Sequence, residues 1–76
     1  LAVFSNSIIS VNQAMNIIVI TTLPGMASAA ASALDSMHLA ECVGTIAGDD
    51  TIFAACPGTE EAKALLITIQ DMTEKG

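Results

Sequence analysis

Residues 17–20 read Ile-Ile-Val-Ile, four β-branched side chains in succession, and the run is closed by Leu23-Pro24-Gly25. Branching at Cβ stiffens χ1 and suits a pleated backbone, so the segment is a strand. Apolar residues at every position, rather than at alternate ones, call for cover on both faces of that strand. A small two-layer domain covers only one face, so the second is expected to lie against another chain. Composition agrees. Of the 76 residues, 53% are apolar, which is more than a single core of this size can hide. No charged residue precedes Asp35, and eight acids face two bases, Lys63 and Lys75, for a net charge of −6. The apolar content excludes disorder, and two lysines make no basic patch for nucleic acid. Polar residues at Asn6, Asn12, Gln13, Asn16, Thr21 and Thr22 interrupt any membrane-spanning stretch. Two cysteines are too few for a disulfide scaffold.

Turn and cap chemistry divides the rest. Residues 1–11 read as a strand that opens without an initiator Met or a signal-peptide pattern, as expected of an excised domain. Asn12-Gln13-Ala14 is expected to be a hairpin turn, and residues 15–22 the second strand. Pro24 suits a helix start, and Ala27, Ala30, Ala31, Leu34 and His38 share one face of a helix over residues 25–37. Ser28, Ser32 and Asp35 form a polar stripe on the opposite face. Residues 42–47 and 51–56 are short strands joined by a Gly48-Asp49-Asp50 turn. Thr59 is placed to cap a last helix, with Glu60 and Glu61 in its first turn, Ala62, Leu65, Leu66 and Ile69 on its apolar face and Lys75-Gly76 at its end. The order β-β-α-β-β-α predicts a two-layer α+β domain, a four-stranded antiparallel sheet with two helices on one face. Its helix-free face is too apolar to be left to water.

The chemistry-bearing residues are few. Asp49 and Asp50 repel one another at a hairpin tip. Either both satisfy the turn and point into solvent, or they hold a cation. A hard metal ion calls for more converging oxygens than lie nearby, whereas a guanidinium or ammonium needs one carboxylate in a charge-assisted contact. His38, the single histidine, reads as structural at a helix end. Cys42 and Cys56 lack metal-ligand spacing and read as small apolar residues of a reduced, cytoplasmic protein. No nucleophilic triad or phosphate loop is present in the sequence, and nothing in it argues for an enzyme.

The segment Gly44-Thr45-Ile46-Ala47-Gly48-Asp49-Asp50-Thr51-Ile52 resembles the C-terminal domain of bacterial arginine repressors. Thr22-Leu23-Pro24-Gly25, the Ala-rich helix ending in Leu34-Asp35-Ser36 and the terminal helix agree in order and spacing, so the resemblance covers essentially the whole chain. It implies an oligomerisation domain that binds L-arginine as effector, with no metal or other cofactor. In such repressors a winged helix-turn-helix, not contained in this chain, binds operator DNA. Two trimers stack into a hexamer, and arginine lies between them. The resemblance assigns arginine's guanidinium and α-ammonium to Asp49 and Asp50, with Thr45, Ala47 and Asp35 beside them. Where many members carry a ligand-contacting glutamine, this chain has Ser28, shorter by about two carbons. The alternative reading is therefore a purely structural trimer or hexamer module with weakened or lost arginine binding. The fragment itself is expected to bind no nucleic acid and no membrane.

Overall fold

The computed structural model describes residues 2–74, with side chains for residues 4–73. Its elements are α1 (Ala2–Ser7), β1 (Ile8–Ala14), β2 (Ile17–Thr22), α2 (Ala27–Ser36), β3 (Gly44–Ala47), β4 (Thr51–Ala55) and α3 (Thr59–Glu74). The strands form one antiparallel sheet in the order β1-β2-β4-β3, so the predicted four-stranded α+β architecture holds. The β-branched run sits in its middle. Ile18 and Ile20 pair with Ala54 and Ile52, and all four side chains are fully buried. They meet Ala27, Ala30, Ala31 and Leu34 of α2 and Ala62, Leu65 and Ile69 of α3 in a single core. Small alanines let α2 approach the sheet closely, as their periodicity predicted.

Only alternate residues of β2 and β4 are buried. Ile17, Val19 and Thr21 are half-buried, and Phe53 is 50% exposed. Across the sheet Asn12, Val19, Phe53 and Ile46 line up in register, and Ile46 is 73% exposed. Within one chain, then, the second face of β2 has no helix over it.

Four local expectations are corrected. The first strand begins at Ile8, and Ala2–Ser7 is helical. Phe4 and Ser7, three positions apart, are both buried, and the Ser7 hydroxyl donates to the Phe4 carbonyl at 3.0 Å. A strand would turn those two side chains to opposite faces, so burial of Phe4 overrides the local β preference. The first hairpin turns at Met15-Asn16, not at 12–14, with Met15 in the left-handed region at φ 54. Asn12 and Gln13 stay in the ladder, and Gln13 Nε2 donates to the carbonyls of Met15 (2.8 Å) and Thr59 (3.0 Å). Pro24 lies before α2, in a turn closed by Met26 N–H to the Leu23 carbonyl at 3.1 Å, with Gly25 at φ 77. This is a type II turn, which needs a positive φ at that glycine. Thr59 is the first residue of α3 rather than its cap, and the Gly58 carbonyl receives the Ala62 amide at 3.0 Å. The expected Lys75-Gly76 helix end lies outside the described residues.

Replacing Ile52 by Ala at the centre of the core is expected to cost about 2–5 kcal/mol, because the sheet cannot collapse around the cavity. Urea unfolding monitored by circular dichroism checks this; a loss below about 1 kcal/mol would contradict the packing described.

Candidate functional site: the acidic hairpin and helix α2

The β3–β4 hairpin closes with Gly48 N–H donating to the Thr51 carbonyl at 2.8 Å, which leaves Asp49 and Asp50 at the tip, both exposed. The tip is held firmly. Thr22 N–H donates to the Asp50 carbonyl at 2.7 Å, continuing the β2–β4 ladder past its last pair. Ala27 N–H, the first amide of α2, donates to the Asp49 carbonyl at 3.2 Å, and Gly25 N–H donates to Asp49 Oδ2 at 3.2 Å. Thr51 Oγ1 donates to Asp50 Oδ1 at 3.0 Å. The carboxylates are thus presented by a braced hairpin rather than a loose loop.

The other end of α2 is tied to β3. Thr45 Oγ1 donates to Asp35 Oδ1 at 2.9 Å, and both line a cleft of about 400 Å³ with Leu34, His38, Cys42 and Gly44. From Ala27 to Asp35, α2 rises about 12 Å, and Thr45 to Asp49 spans about 13 Å of extended chain. These matched lengths let both ends be tied at once.

The six residues singled out from the sequence therefore fall into groups. Asp35 and Thr45 are brought together at one end of α2. Asp49 and Asp50 stand at the other end, where exposed Ser28 occupies the first turn of α2. Ala47 ends β3, half-buried against the core, and lines a second, mostly apolar hollow of about 340 Å³ with Ile46, Gly48, Thr51 and Phe53. Asp35 is tied to Thr45 early in β3 and Asp49 to the turn before α2, so the two acids lie toward opposite ends of that helix.

Residues 4–71 match the family described as arginine repressor, C-terminal domain. The chain belongs to the arginine repressor C-terminal domain family. It is 56% identical to the arginine repressor of Acetivibrio thermocellus over 63 residues, 83% of this chain and 41% of that protein. It is 45% identical to the arginine repressor of Caldicellulosiruptor saccharolyticus over 74 residues, 97% of this chain and 49% of that one. With the arginine repressor of Clostridium novyi it shares 43% over 72 residues, 95% of this chain and 48% of that relative. The chain thus spans about half the length, or less, of these relatives. The family is one of repressors, not of enzymes.

Several features of this arginine repressor domain escaped sequence reasoning. The amides of Gly25 and Ala27 carry no side-chain signal, and their engagement by Asp49 is a tertiary contact. His38 was placed on the helix, but it lies just past Met37, the C-cap of α2, at φ 52 in the left-handed region where glycine is usual, and it lines the cleft. Among the described residues, no group of three or more His, Cys, Asp or Glu side chains could hold a metal ion. Among them, too, no helix is long and apolar enough to cross a membrane.

Cys56 is buried and Cys42 half-buried, both as free thiols. Burial pushes the Cys42 thiol above its ordinary range, opposed by hydrogen bonding with the Gly44 backbone and reinforced by the negative charge of Asp35. Burial likewise raises Cys56, followed by the influence of Cys42 and of Glu41 and Glu61. A raised thiol favours the folded state while it is protonated. That stability is fully present below the ordinary thiol range and is lost as pH rises through it. The melting temperature is therefore expected to fall as pH is raised above about 9. Iodoacetamide is expected to modify Cys42 more slowly than an unfolded-chain thiol, and Cys56 more slowly still. Equal rates, read by mass spectrometry, would contradict the burial described.

Proposed function

We propose that this chain is the L-arginine-sensing oligomerisation domain of a cytoplasmic transcriptional repressor of arginine metabolism genes. The observation that carries the reading is the exposed Asp49-Asp50 pair on a braced hairpin, within the segment that carries the family resemblance. A carboxylate held in place loses little freedom when it receives a guanidinium or ammonium in a charge-assisted bond. Asp35, Thr45, Ala47 and Ser28 complete the proposed arginine site. In this reading the ligand is shared between subunits, between two stacked trimers.

The exposed Ile46 and Phe53, in register with half-buried Val19, supply an apolar surface for association, next to the hairpin. In this reading arginine bridges two trimers, favours the hexamer and so strengthens operator binding by the rest of the repressor. The domain alone, at a net charge of −6, is repelled by phosphate and binds no DNA. A second reading is a structural module that no longer answers to arginine. It is favoured by Ser28, whose short exposed side chain stands in the first turn of α2.

Saturating L-arginine is expected to raise the melting temperature by mass action, with Asp50→Ala abolishing the rise. Sedimentation with and without arginine is expected to show a larger assembly with it. A hexamer of unchanged mass, together with no thermal shift, would leave the structural module. Phe53→Glu, by placing a charge on the open face, is expected to reduce the sedimenting mass while the far-ultraviolet circular dichroism stays native.

A further inference from the structure

The adjacent acids at the hairpin tip are not equivalent. The Asp50 carboxylate bonds to the next residue of its own hairpin, Thr51. The Asp49 carboxylate reaches a turn 24 positions earlier in the chain, at Gly25 N–H, while its carbonyl receives the first amide of α2. Met26, at the N-cap position of α2, provides no side-chain cap, and the Asp49 carbonyl supplies an acceptor for the first helical amide. The turn it holds depends on Gly25 at φ 77, where any other side chain is strained.

We propose that Asp49 is a positioning residue that couples cation capture at the hairpin tip to the order of the Pro24-Gly25 turn and the first turn of α2. The coupling rests on the arginine reading above and deepens it. With Oδ2 turned to Gly25, Oδ1 is left for a ligand. A cation on Oδ1 fixes the side-chain torsions and, through them, the acceptor that Gly25 uses. The carbonyl bond to Ala27 is tightened along with it, and Ser28 moves with that turn. By reciprocity, loosening the turn weakens cation binding by the same factor that the cation strengthens the turn. Gly25 therefore matters to ligand affinity without offering the ligand a side chain.

The test is calorimetric titration with L-arginine combined with amide hydrogen exchange on the 76-residue chain and its Gly25→Ala, Asp49→Asn and Asp49→Ala variants. Gly25→Ala leaves every carboxylate in place, yet it is expected to weaken arginine binding on the order of fivefold or more. In the wild type, arginine is expected to slow exchange at Gly25 and Ala27 beyond the slowing at Ile18, which reports global stability. Without arginine, Asp49→Asn keeps an oxygen acceptor and should keep the Gly25 amide protected, whereas Asp49→Ala should not. Wild-type binding with unchanged exchange at Gly25 and Ala27, and with normal affinity in Gly25→Ala, overturns the coupling and leaves the arginine reading standing. A wild type that gives no heat with arginine ends the arginine reading. The ligand-free comparison then decides the clamp, which falls if Asp49→Ala protects Gly25 as well as the wild type does.

Discussion

The pairing of β2 with β4 is the constraint on which the rest of the domain depends. Ile18 and Ile20 oppose Ala54 and Ile52 at the middle of the sheet, and every helix contact with the core is organised around them. These are non-local contacts between hairpins that are separate in sequence, so the core forms only when both hairpins are in register. A slip of one residue on either strand would send its apolar set to the opposite face. The ladder also fixes the acidic end of the molecule. Its continuation, Thr22 N–H to the Asp50 carbonyl, sets where the acidic tip stands relative to the start of α2.

Much of this was legible in the sequence because the signals were strong and local. The Ile17–Ile20 run, the alanine spacing in α2 and the Gly48-Asp49-Asp50 turn each express a period or a backbone need that neighbours do not overrule. The failures share a cause. Val3 and Phe4 favour a strand, but Ala2–Ser7 is helical and Phe4 finds a buried position against the core. Asn12 and Gln13 look like turn residues, yet Gln13 spends its side-chain amide on α3 across the fold, at the Thr59 carbonyl. In both places a tertiary contact outweighs local preference, and no window of sequence contains the partner.

The candidate site divides in the same way. Asp49 and Asp50 stand out by charge and turn chemistry, Asp35 enters through the family resemblance, and the Asp35–Thr45 hydrogen bond brings two singled-out residues together. The backbone donors at Gly25 and Ala27 were invisible, since an amide is common to nearly every residue. What the sequence suggested as a pair of like acids is, in three dimensions, one acid confined to its own hairpin and another that braces a helix.

The sheet ends in two strands that make poor templates for a neighbour. β3 has four residues, and β1 is broken in register between Ile8 and Ser10, with Ile9 60% exposed at the irregularity. Short edges and bulges deny an incoming strand a continuous row of hydrogen-bonding groups. For a chain that is 53% apolar, this separates ordered assembly from fibre growth. An incoming strand finds little to zip onto at either edge, and the exposed Phe53 and Ile46 lie on the face of the sheet rather than along those edges.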